Sequence, residues 1–291
     1  MATVTWLNAD GNINNTANYS TGAKPSNGDS LDIPKADQTV TTNPTGLGAI
    51  NLLNSTIGVA FTGQWGSTSA PITYGTCTGT LKINAPRAGL ISVAPTAWPS
   101  VQVVDCGASQ SPLYFSSGTY TDLVILGGGL IIVGASCTVT NLHVIGGQGT
   151  RPSPNVRIDA GAAVTNLYAQ AGNIDTYAAI TNSKISGTAR LNYLGDSAIN
   201  STTVEVYGSL ARMDVYAQGT HSSVKAFAGG VFDASKDSRT KTVTAAYAHT
   251  GSTIILGSHV AFTTAVMRGG RILGVAPTSI EGSPDTLGFS A

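Results

Sequence analysis

Charge is what this chain has least of. Only 10% of its 291 residues are Asp, Glu, Lys or Arg, where ~25% is usual. Fifteen bases cancel fifteen acids to leave a net charge of zero. A neutral chain lacks the basic footprint of nucleic-acid and anionic-membrane binders, so neither partner is expected. Long apolar runs are also missing. The nearest approach, Leu123 to Val133, is interrupted by three glycines and is shorter than the ~18 residues of a spanning helix. Met1 to Trp6 has no basic n-region followed by an apolar stretch, which reads as a soluble chain made in a cytoplasm.

Cysteine and histidine are sparse. The three cysteines, Cys77, Cys106 and Cys137, are odd in number and lack metal-ligand spacing, so they read as buried free thiols. His143, His221, His249 and His259 form no His-x-His or His-x-x-x-His pair, and no metal site or cofactor is expected. Gly127-Gly128-Gly129 and Gly146-Gly147-Gln148-Gly149 lack the Lys-Ser/Thr and helix of a phosphate loop, so they read as corner glycines. The Gly-Gly-x-Gly-x-Asp repeat of calcium β-rolls is absent. Nor is there an amphipathic helical pattern of useful length.

What the chain has is a recurring phrase. A hydroxyl residue, a polar residue and apolar residues alternating with variable ones lead to a glycine, eight times between Tyr120 and Gly270. The copies begin at Thr121, Thr140, Thr165, Thr181 and Thr202, with fainter ones at Ser222, Val243 and Thr263. Their spacing of roughly 20 residues is that of a solenoid coil, and the apolar period of two within each copy specifies a strand. A second column keeps the same phase: Arg157-Ile158-Asp159, Asn173-Ile174-Asp175, Arg190-Leu191-Asn192, Arg212-Met213-Asp214 and Val231-Phe232-Asp233. Two columns in phase predict an all-β, right-handed parallel β-helix without significant helix, its rungs ~4.8 Å apart around a continuous apolar core.

This reading divides the chain into an N-terminal cap or strand at 1–35, irregular early rungs at 36–118, a regular β-helix of about eight rungs at 119–279, and a C-terminal tail or cap at 280–291. Prolines 44, 71, 86, 95, 99 and 112 are expected to separate the early strands. A cap is required because an open solenoid end exposes strand edges and core. The opening segment carries Trp6, Gly11, Asn18-Tyr19, Gly22, Pro25 and Gly28-Asp29 before a strand. It resembles the start of β-helical surface and passenger proteins of bacteria and of structural proteins of bacteriophages, although Tyr19 stands where tryptophan is commoner. The resemblance covers about a tenth of the chain and implies a β-helical capsid decoration, cement or spike protein on a virion surface, in contact with viral capsid protein.

Outward positions follow from the register. They place Leu126, Ile145, Tyr168, Tyr207 and Phe227 on a face whose large apolar groups suggest an interface, with three copies of the chain as the expected assembly. The polar ladder of Asp159, Asp175, Asn192, Asp214 and Asp233 with Arg157, Arg190 and Arg212 reads first as cross-rung ion pairing. It is also the one place for a glycosidase-like acid pair, since rungs ~4.8 Å apart approach the ~5 to 5.5 Å of a retaining enzyme. The expected function is a non-enzymatic structural protein of a virus particle. The rivals are a tailspike-like polysaccharide depolymerase acting through Asp214 and Asp233, and an adhesin whose Tyr168, Tyr207 and Phe227 stack on a surface glycan.

Overall fold

A computed structural model describes residues 1–7, 10–34, 39–40, 47, 50–106, 112–146 and 153–281. The chain forms two compact units, Met1–Ala163 and Val164–Ala291. Both are parallel β-solenoid, and the one described helix is the 3-10 turn Thr16–Asn18.

Residue alternation builds the first unit. In the strands Thr3–Thr5, Ser30–Ile33, Ser55–Ile57 and Thr80–Ala85, every second side chain is buried. These strands stack in parallel and continue into Ile91–Cys106, Leu113–Ile125 and Leu130–Val144. One inward column therefore runs Ile33, Ile57, Ile83, Val103, Ile125, Val144, all without solvent exposure. Each such side chain contributes roughly 1.5–3 kcal/mol on burial, so sliding one strand by a residue would forfeit its whole inward set.

The early rungs differ from expectation in two ways. Pro95 and Pro99 do not break the chain into separate strands but lie within Ile91–Cys106, with Pro95 in register with Tyr74. Gly118 crosses beside Pro95 with φ +121°, and a Cβ there would sit 2.3 Å from the Pro95 carbonyl oxygen. A corner built of proline and glycine bends the strand where a ladder bond can be given up. The strand Ile72–Thr76 was also not anticipated. Of the segment 35–46 only Thr39–Val40 lies within the described residues, and it forms a short strand.

The segment 1–35 supplies two rungs, Thr3–Thr5 and Ser30–Ile33, with Thr3 opposite Ser30. Between them the chain folds back. Thr5 N–H donates to Ser20 Oγ at 2.9 Å, Ser20 N–H donates to Thr5 O at 2.9 Å, and Leu7 N–H donates to Asn18 O at 2.7 Å. Trp6, Ile13 and Tyr19 are buried beneath this fold, and Trp6 meets Trp65 edge to face at 5.6 Å. The boundary expected at 118/119 lies inside the strand Leu113–Ile125.

In the second unit two stacks alternate along the chain. One consists of Ala163–Ala169, Ile180–Ile185, Ser201–Tyr207, Gly219–Phe227, Lys241–His249, Val260–Arg268 and Ser279–Glu281. The other consists of Asn173–Thr176, Arg190–Tyr193, Arg212–Val215, Val231–Asp233, Thr253–Leu256 and Arg271–Gly274. Between the stacks stand the repeat glycines. Gly172, Gly187, Gly208, Gly229, Gly251 and Gly269 all adopt positive φ, which is why glycine ends each copy.

Counting from Val243 as the start of its copy places Ala246 and Ala248 outward, and the structure corrects this register. Ala246 pairs with Val224 and Ala248 with Ala226, so both alanines point inward and are fully buried. Tyr247, opposite Lys225, holds the outward place instead. The second stack also has a rung at Thr253–Leu256 that the Arg-apolar-Asp signature does not reveal. The C-terminal tail expected at 280–291 lies outside the described residues from Gly282 onward.

Candidate functional site

The polar ladder of the second unit is assembled by strand register. Asp175, Asn192, Asp214 and Asp233 stand on successive rungs, as do Asn173, Arg190 and Arg212 beside them. At its start, amides neutralise the acid. Asn173 Nδ2 donates to Asp175 Oδ1 at 3.0 Å, and Asn192 Nδ2 donates to the same oxygen at 2.7 Å.

Further along, guanidinium groups take over. Arg190 reaches the next rung, where its Nη2 lies 2.6 Å and its Nε 3.1 Å from Asp214 Oδ2. Arg212 Nε binds Asp214 Oδ1 at 2.8 Å, and Arg212 Nη2 binds Asp233 Oδ2 at 2.7 Å. Lys236 completes the chain, 3.0 Å from Asp233 Oδ2. The Asp214 side chain is 0% exposed and that of Asp233 3%, while the Arg190 side chain keeps 50% of its surface in solvent. Buried carboxylates paired with half-exposed arginines suit Arg, whose charge persists and whose fork serves two acceptors.

Burial works against ionisation of Asp233. The hydrogen bonds from Ser235 and Lys236 outweigh it and hold the carboxyl below its ordinary range. A retaining or inverting glycosidase needs one carboxylic acid that keeps its proton near neutral pH. Asp233 has the opposite bias, and Asp214 is enclosed by two cations. What this arrangement does is link rungs. Arg157 and Asp159, in the first unit, form a separate pair at 2.6 Å whose side chains are 50% and 20% exposed.

Of the expected interface residues, Tyr168 is exposed, whereas Leu126, Ile145, Tyr207 and Phe227 are half-buried. Leu126 and Ile145 belong to the first unit and the three aromatics to the second. Tyr207 and Phe227 lie face to face at 4.5 Å with their planes 6° apart, and Phe227 stacks on His249 at 4.3 Å. Lys184 Nζ sits over the Tyr207 ring, 4.9 Å from its centre. Both faces of Tyr207 and of Phe227 are thus occupied within the chain. Sugar stacking requires a free ring face, and these two rings offer only edges. Burial and then the hydrogen bond to Glu205 push the Tyr207 phenol up to about 12, so it stays protonated and donates.

Sequence reasoning missed a polar group inside the second unit. His221 is fully buried, with Nδ1 2.7 Å from Ser201 Oγ and Tyr193 and Phe232 edge-on around the ring. Burial, reinforced by the positive charge of Lys241, lowers its pKa to about 4. Lys241 is itself buried, donating to the carbonyl oxygens of Asp237 and Arg239 at 3.0 and 3.1 Å. The one signal in the sequence was Lys241 at an inward position of a strand. Arg239 then fastens its loop to another, with Nη1 2.5 Å from Gly195 O and Nη2 2.8 Å from Asp196 Oδ1.

The three cysteines are free and buried, as expected. Burial pushes the Cys77 thiol up to about 11 and those of Cys106 and Cys137 up to about 12, far from thiolate reactivity. Among the described residues no group of three or more His, Cys, Asp or Glu could hold a metal ion, and no helix is long and apolar enough to cross a membrane. Comparison with family models, curated proteins and solved structures finds no match to this chain.

Proposed function

We propose that this protein is a non-enzymatic structural protein, built of β-solenoid, that serves as a surface element of a virus particle. The observation that carries the structural half is the Arg190–Asp214–Arg212–Asp233–Lys236 ladder, in which buried acids are held by ion pairs both within and across rungs. Acids held this way stiffen a stack, and their enclosure denies them the access that hydrolysis requires. The viral half comes from the resemblance of the opening segment to β-helical phage structural proteins. It points to a decoration, cement or spike protein in contact with capsid protein; the proposed homotrimer rests instead on the large apolar groups at the outward positions Leu126, Ile145, Tyr168, Tyr207 and Phe227.

The fold-back of Asn18 to Ser20 onto Thr5 supports a capping role for the N-terminal segment. Thr5 turns its N–H and C=O away from the second rung, and Ser20 satisfies both. Unsatisfied, these groups would form the exposed edge that invites uncontrolled strand addition.

The test is sedimentation velocity of the purified chain, alone and with undecorated heads of the phage that encodes it. A trimer that binds the heads saturably is the expected result. A monomer that leaves the heads bare contradicts the viral reading. Hydrolysis of a polysaccharide by the pure protein would overturn the non-enzymatic one.

A further inference from the structure

On the second unit, outward strand positions of three successive rungs line an open groove of about 240 Å³. Its walls are Asn166, Asn182 and Thr203 in one column and Tyr168, Lys184 and Glu205 in the next. We propose that this groove binds an acidic saccharide unit, a pyranose bearing a carboxylate.

The chemistry of each column argues for it. Asn182 Nδ2 donates to Asn166 Oδ1 at 3.0 Å, which fixes both amides in orientation. Asn182 Oδ1, its second N–H and the Thr203 hydroxyl then form a row of donors and acceptors one rung apart, about 4.8 Å. Alternate equatorial substituents of a pyranose ring are separated by a comparable distance. Glu205 accepts from Tyr207 Oη at 2.9 Å and from Lys225 Nζ at 3.5 Å, so its position is set while each oxygen retains a lone pair for a sugar hydroxyl. Tyr168, 40% exposed, supplies an apolar wall.

Charge selects the acidic sugar. Among the described residues Lys184 makes no ion pair, although its ammonium is held over Tyr207. Glu205 is compensated by Lys225. Glu205 stands one rung from Lys184 but is engaged by Lys225 and Tyr207, so the Lys184 ammonium is left with donors for a single carboxylate, too little for a polyphosphate backbone. The site stands whether or not the protein belongs to a virion, because sugar binding and attachment to phage heads are measured separately.

The experiment is a titration by protein-observed NMR with galacturonate, glucuronate and N-acetylneuraminate, each beside its neutral counterpart where one exists. At least one acid should saturate with a Kd on the order of 1 mM, with shifts confined to Asn182, Lys184, Thr203 and their neighbours. Lys184→Gln should weaken that acid about tenfold more than it weakens the neutral sugar. Thr203→Val, a second substitution at a half-buried outward position, should weaken both. Absence of saturable shifts with all three acids overturns the proposal, as does binding that Lys184→Gln leaves untouched. Circular dichroism of each variant confirms that the solenoid remains folded.

Discussion

Arg212 bridges its own rung to the next, with Nε 2.8 Å from Asp214 Oδ1 and Nη2 2.7 Å from Asp233 Oδ2. The same side chain closes an intrastrand pair and an interstrand pair, so the ladder resists both sliding and separation of rungs. Its effect depends on burial. A carboxylate out of water with two cations is costly to leave half-paired, whereas a solvated pair is not.

Asp214→Asn should therefore lower the unfolding free energy by about 2–4 kcal/mol, less than a fully buried pair because Arg190 and Arg212 retain solvent contact. Asp159→Asn, which breaks the exposed pair with Arg157, should cost under about 1 kcal/mol. Equilibrium urea unfolding of the two variants measures the contrast. Equal effects would show that burial does not set the strength of the ladder.

The buried imidazole of His221 gives stability a pH dependence of definite sign. Its folded pKa, about 4, lies below the ~6.5 of an unfolded histidine. The folded state therefore binds fewer protons between those values. Stability from this group is complete above pH ~6.5 and falls as pH drops toward 4, by about 3 kcal/mol in all. Asp233, whose pKa is depressed below the usual 3.8, loses its contribution only in more acid solution. Replacing the pair together, Ser201→Ala with His221→Leu, should flatten the slope of stability between pH 6.5 and 4. A slope unchanged in the double variant would contradict the assignment.

Phe227 lies between Tyr207 and His249. Phe227→Ala removes two stacked contacts and should cost about 1–3 kcal/mol. Burial, followed by Arg268 and Lys225, holds the His249 pKa below its ordinary value. Opening the stack should rehydrate the imidazole and raise that pKa, which an NMR titration of the His249 ring protons reads directly.

The corner glycines separate strain from clash. Gly208 has φ +93° with nothing within 4 Å of a Cβ, so Gly208→Ala should cost only the backbone term of about 1 kcal/mol. Gly187 has φ +60°, and its Cβ would meet Gln170 O at 2.3 Å. Gly187→Ala should cost at least ~2 kcal/mol, because a carbonyl of the neighbouring rung must move. Thermal unfolding ranks the two.

The architecture was legible because alternation, a terminal glycine and the Arg-apolar-Asp signature all follow from the same stacking. Legibility failed where a rung keeps its shape without its signature. Thr253-Ile254-Ile255 holds the rung after Asp233 but has neither charge. The alanines at 245, 246 and 248 do not distinguish inside from outside, so the register there slipped by one residue. Tyr207 and Phe227 were recognisable as outward, but their mutual stacking depends on side-chain direction across rungs, which strand periodicity does not encode. Lys241 was hidden for a simpler reason: its partners are loop carbonyls, invisible to residue type.

The central claim is that the acids of the ladder brace the solenoid and do no chemistry. The most direct measurement is the unfolding free energy of Asp214→Asn/Asp233→Asn beside wild type, with both proteins assayed for cleavage of bacterial surface polysaccharides. The account predicts a loss of several kcal/mol in the double variant and no cleavage by either protein. Cleavage by wild type that vanishes in a double variant of undiminished stability would contradict it.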